Sequence, residues 1–144
     1  MEEFAATLIR GFSQFQGEIA LLPAPVLAWM WAMRIVFGFS LVFLPRRGAA
    51  AVLAVMIATA LARFYFKGLY PDIPAPLIGA QCHIVLWAPL LGFLLYAMRG
   101  QRARRTTFMD KAYAVWYLLV TAVLAISLVF DVREILTAMV GSTV

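Results

Sequence analysis

The sequence predicts an all-α integral membrane protein, with four transmembrane helices in an up-down bundle preceded by an amphipathic interfacial helix. Three observations carry this expectation. Of 144 residues, 65% are apolar and 13% are charged, against roughly 45–50% and about 25% in an ordinary soluble domain. The apolar residues gather in four stretches, 25–44, 49–66, 77–98 and 112–130, each near the ~20 residues that cross a ~30 Å hydrocarbon layer. None of them alternates polar with apolar residues as a barrel strand would, and a backbone in hydrocarbon must satisfy its own hydrogen bonds, so helices remain. The length is that of one domain, residues 1–144.

The first element falls in residues 1–19. Phe4, Leu8, Phe12, Phe15 and Ile19 recur at the helical period, with Glu3, Thr7, Arg10, Gln14 and Glu18 largely opposite, and the pattern stops at Gly17 and Pro23. Such a helix is expected to lie in the outer interface, its apolar face sunk into the headgroup boundary. The acidic opening Met1-Glu2-Glu3 and the late start of the apolar run argue against a cleaved leader.

The first span, 25–44, carries Arg34 near its middle. The second, 49–66, offers Ala50, Ala54, Ala58 and Ala62, spaced by four. Helices in lipid associate through close backbone approach, so this stripe is the expected tightest contact, with Gly38 and Gly92 as further narrow points. Lys67 to Pro76 forms a short loop stiffened by Pro71, Pro74 and Pro76, which makes the second and third spans neighbours. The third span, 77–98, holds Gln81, Cys82, His83 and an internal Pro89 that removes one backbone donor and is expected to kink it. Thr107-Phe108-Met109-Asp110 reads as a capping-box start for the last helix.

Orientation follows from the basic residues. Arg46, Arg47, Arg99, Arg102, Arg104, Arg105 and Lys111 fall on one side, and Arg10, Lys67 and Arg133 on the other. That bias predicts both termini and the Lys67–Pro76 loop outside the cytoplasm, in a bacterial inner membrane. The net charge of +5 is therefore read as a topology signal, and no nucleic-acid partner is expected. No internal repeat is present that would suggest an inverted-repeat transporter.

Arg34 is the costliest residue, because a guanidinium at mid-bilayer normally faces the bundle interior and finds a partner. Every Asp and Glu is expected in a loop, a terminal segment or the first or last turn of a span, so no acid of the chain is expected to meet it. Arg63, His83 and Gln81 are placed by their depth on the walls of the same outer half, with Arg34 at the floor. The expectation is a positive pocket that binds a lipid phosphate, a quinone oxygen, a fatty carboxylate or an acid from another chain. The plainer readings are that Arg63 snorkels outward, that His83 bonds a neighbouring carbonyl, and that Arg34 is absorbed by backbone carbonyls, Ser40 and a thinned bilayer.

The expected function is an accessory or binding role in the membrane, engaging membrane lipid and assembling as a homo-oligomer or in a larger membrane complex. Two alternatives stand beside it: an oligomeric small transporter or channel, and a lipid- or quinone-modifying enzyme. One cysteine and one histidine adjacent in sequence diverge by about 100° on a helix, which argues against both a metal site and a nucleophile–base pair. No catalytic constellation, metal site or cofactor is assigned. The pentapeptide Arg34-Ile35-Val36-Phe37-Gly38 resembles the opening of the DoxX-like four-helix membrane proteins, over these residues alone; the resemblance implies a four-helix membrane fold.

Overall fold

A computed structural model describes residues 1–98 and 107–141, and among these every regular element is helical. The helices are α1 (Glu2–Ile19), α2 (Ala24–Gly38), α3 (Arg47–Leu69), α4 (Ala75–Met98) and α5 (Phe108–Gly141), with a 3₁₀ turn at Phe39–Leu41 after α2. Four segments are long and apolar enough to cross a membrane: Ala24–Leu41, Arg47–Leu69, Ala75–Met98 and Phe108–Gly141. Arg99, Arg102, Arg104 and Arg105 of the basic stretch lie outside the described residues.

Local chemistry explains most of the boundaries. Pro25 stands in the first turn of α2, where a missing N–H costs nothing. Pro45 bars any continuation of that helix, and the chain tightens into the 3₁₀ turn before reaching it, so the regular helix is shorter than the apolar stretch 25–44. α4 runs through Pro89 as one element. The start of α5 is a capping box: Thr107 Oγ1 accepts from the Asp110 N–H at 3.1 Å while Asp110 Oδ2 accepts from the Thr107 N–H at 3.1 Å and its hydroxyl at 2.8 Å. α5 ends 11 residues later than the apolar stretch 112–130. Asp131, Arg133 and Glu134 lower the hydropathy there, yet no glycine or proline occurs between Phe108 and Gly141, so nothing interrupts the backbone.

One core joins α2, α3, α4 and α5 through Phe37, Phe43, Val52, Trp87, Leu94, Trp116, Tyr117 and Leu124. Its polar handles are satisfied: Trp87 Nε1 donates to Thr59 Oγ1 at 3.0 Å, Trp116 Nε1 to the Val36 carbonyl at 2.8 Å, and Tyr117 Oη to the Leu94 carbonyl at 2.7 Å. At this end Arg46 pairs with Asp110 at 2.6 Å and lies over the Tyr113 ring. Contacts between α4 and α5 run in opposite senses along the two helices, His83 meeting Asp131 and Leu94 meeting Tyr117.

The close contacts differ from those expected. Ala50, Ala54 and Ala58 are exposed, and a side chain at Gly38 or Gly92 would meet open space. The narrow points are instead Gly11 against Gly68, where a Cβ on Gly11 would overlap the Phe64 carbonyl oxygen and one on Gly68 the Thr7 carbonyl oxygen, and Gly48, where a Cβ would come within 2.6 Å of the Tyr113 hydroxyl. α1 consequently buries Thr7, Gly11, Phe15 and Ile19 against α3 and α4. Phe4 and Phe12, on the expected apolar face, stay half exposed at its edge. Small residues let two backbones approach more closely than the largest apolar side chains would, and that rotates the buried stripe.

Candidate functional site

The C-terminal end of α1, the length of α2, and the facing parts of α3, α4 and α5 line a half-open cavity of about 520 Å³. Its walls are chiefly apolar, from Phe15, Ile19, Trp29, Met30, Met33 and Phe37. Five side chains that carry or take up charge also line it: Arg34, Arg63, His83, Asp131 and Glu134.

His83 sits on the α4 face that carries Gly79, Ala80 and Trp87 into the cavity wall. Its ring stacks on Trp87 with centroids 3.8 Å apart, and Trp87 is fixed in turn by Thr59, whose hydroxyl donates to the Val55 carbonyl at 2.7 Å. His83 Nδ1 lies 3.1 Å from Asp131 Oδ2 and 3.2 Å from Oδ1. A carboxylate only accepts, so Nδ1 carries the proton and Asp131 fixes the ring's tautomer. Both side chains are largely buried, at 13% and 15% exposure. Nε2 of His83 is buried and has no hydrogen-bond partner among the described residues.

Arg63 projects from α3 beneath α1, its guanidinium carbon 5.1 Å from the Phe15 ring centre and 5.4 Å from that of Phe64. Its Nε is likewise buried without a hydrogen-bond partner. Arg34 projects from α2 with its guanidinium 4.8 Å from the Trp31 ring centre, and it forms no ion pair among the described residues. Cation–π contacts of this kind hold a guanidinium while leaving its N–H groups for an acceptor.

The structure thus brings Arg34, Arg63 and His83 to one cavity and turns Gln81 away. Gln81 is exposed and is not part of the wall, because two residues on a helix are about 200° of rotation and both Gly79 and His83 face inward. The expectation that no acid of the chain lies at this pocket is corrected: Asp131 and Glu134 stand on α5, which continues past the apolar stretch 112–130, and both line the cavity. A pocket of positive charge alone is therefore replaced by one lined by two arginines and two acids. The signal was present in the sequence as Asp131 and Glu134, spaced by three on one helical face.

Beside the cavity, Lys67 is buried to 1% exposure and fully partnered: Nζ donates to the Pro71 and Ile73 carbonyls, each at 2.7 Å, and pairs with Glu18 of α1. The other Glu18 oxygen accepts from the Ala75 N–H at 2.7 Å, tying α1 to the start of α4. Burial raises the Glu18 pKa, but the hydrogen bonds from Lys67 and Ala75 outweigh it and hold the carboxyl below its ordinary value. Sequence singles out neither Lys67 nor Glu18 as a partnered residue, because charged residues at helix ends are usually solvated.

Among the described residues no three of His, Cys, Asp or Glu gather to hold a metal ion, and Cys82 is a buried free thiol. The chain matches no family model, no curated protein and no solved structure.

Proposed function

We propose that the protein is a multi-pass protein of a bacterial inner membrane that binds an amphipathic, lipid-like ligand, its head held by Arg34, Arg63 and His83 and its apolar part by the cavity wall. The observation that carries this reading is the pairing of mostly apolar walls with two buried nitrogens, Arg63 Nε and His83 Nε2, that have no hydrogen-bond partner among the described residues. Cavities of a few hundred cubic ångströms with a few convergent polar groups are where small ligands bind. An unpaired buried donor or acceptor costs on the order of 1–3 kcal/mol, which a ligand head that pairs with it recovers. Asp131 and Glu134 inside the cavity lessen the need for an acid from another chain, which favours a ligand over an acidic partner.

Residence in a membrane is supported by the large apolar side chains left on the surface, such as Val85 at 69% and Val129 at 68% exposure, which bilayer lipid would cover. In this reading the four apolar helices form an up-down bundle with both termini outside the cytoplasm, the cavity in the outer half and α1 at the outer interface. Homo-oligomers or a larger membrane complex remain part of the proposal.

Lipid extraction and mass spectrometry of the protein purified in mild detergent test this directly. Wild type is expected to retain an amphipathic compound in near-stoichiometric amount, and Arg34→Gln to lose most of it. A wild-type protein that carries no such compound and takes none up overturns the reading. The His83–Asp131 pair also favours a second reading, a lipid-modifying enzyme with His83 as general base; it requires turnover that His83→Ala removes while binding persists.

A further inference from the structure

We infer that the cavity takes a lipophilic monocarboxylate together with one proton, the proton being held by the His83–Asp131 pair; this rests on the ligand reading above and names its chemistry. The argument is charge balance in a half-open, largely apolar cleft. Among the described residues, the ionisable groups that line the cavity with His83 are Arg34 on α2, Arg63 on α3, and Asp131 and Glu134 on α5. Cys82 is its neighbour on α4, and the nearest acid of α1, Glu18, is engaged by Lys67. With His83 neutral, the formal charges of the two arginines and two acids cancel.

An anion entering such a space leaves it one charge negative, and a net charge out of water is costly unless something compensates it. The group equipped to compensate is His83. Asp131 already accepts from Nδ1 and stabilises an imidazolium, and Nε2 is the ring position still open to a proton. The balance is then complete: the carboxylate brings one negative charge, one proton leaves the solvent and bonds to Nε2, no ligand bond breaks, and the cavity returns to neutrality. Nε2, which lacked a partner, becomes a donor to the carboxylate, whose other oxygen accepts from a guanidinium. A protonated acid arriving from lipid reaches the same end state by transferring its own proton to Nε2.

The same arithmetic sets selectivity. A phosphate monoester is a dianion above its second pKa of about 6, so one proton leaves the cavity negative. A methyl ester has no charge to compensate and draws no proton.

The test is titration calorimetry at about pH 8, where a free carboxyl is ionised, run in two buffers of different ionisation enthalpy with octanoate, octyl phosphate and methyl octanoate. Octanoate is expected to bind with uptake of about one proton per ligand, and octyl phosphate to bind at least about tenfold more weakly. His83→Gln is expected to lose the proton uptake and about tenfold in octanoate affinity. Asp131→Asn, which preserves shape beside His83, is expected to reduce the uptake with unfolding temperature retained, and it serves where His83→Gln fails to fold. Octanoate binding without proton uptake, or equal affinity for octanoate and octyl phosphate, overturns the monocarboxylate inference while leaving the ligand reading intact. Failure of all three probes to bind overturns both.

Discussion

Lys67 and Arg63 stand four residues apart on α3, both beneath α1, and they have opposite fates. Lys67 is buried with each donor used, on Glu18 and the Pro71 and Ile73 carbonyls. Arg63 rests against the Phe15 and Phe64 rings with Nε unpartnered among the described residues. A buried cation whose partners are all supplied by the chain is part of the architecture, fixing α1 to the α3–α4 connection. One left incomplete at a cavity wall is poised for something that arrives. The difference between the two regions is one of saturation rather than of charge.

Breaking the saturated side is expected to cost most. Glu18→Ala leaves the Lys67 ammonium buried without its counter-ion, and we expect a loss of about 2–3 kcal/mol, discounted because the carboxylate itself is partly open to solvent. Thermal unfolding in detergent measures it; an unchanged midpoint would mean that the pair holds nothing. The same contact responds to acid. Glu18 has a depressed folded pKa, so its stabilising contribution is present above its ordinary value of 4.5 and fades as the pH falls through the folded value. The protection factors of α1 amides, corrected for the intrinsic pH dependence of exchange, are accordingly expected to fall in acid ahead of those of α4.

A smaller effect is expected from separating the two helices at their narrowest point. Gly11→Ala places a methyl group on the Phe64 carbonyl, so α1 must shift, at about 1–3 kcal/mol by analogy with overpacked cores. Limited proteolysis following residues 1–19 reports it, and a protection pattern identical to wild type would argue that α1 has room to move.

The smallest effect on stability is expected on the unsaturated side. Arg63→Met removes a guanidinium whose Nε has no partner and keeps much of the apolar stem, so stability should change by less than about 1 kcal/mol or rise. Retention of bound lipid should fall sharply in the same variant. A large destabilisation would place Arg63 with Lys67 among the architectural cations and erase the contrast.

Much of the fold was legible because the relevant signals are local. Apolar stretches of bilayer length gave the four long helices, and Thr107 with Asp110 gave the start of α5. The candidate site was legible only in part. Depth along a helix follows from counting residues, which is why Arg34, Arg63 and His83 were singled out. Facing does not follow, and Gln81 was misplaced for that reason. Asp131 was missed as a partner because it falls just beyond the apolar stretch, whereas α5 continues past that stretch and carries it against His83.

The sequence alone therefore determined the number of long helices, their apolar character, the α5 cap and the short list of costly residues. Only the tertiary structure decided which of those residues meet. Hydropathy and capping depend on neighbours along the chain, whereas the rotation of each helix is set by where two backbones approach, here at Gly11, Gly68 and Gly48. That rotation pairs His83 with Asp131, saturates Lys67 and leaves Arg63 open at the cavity wall.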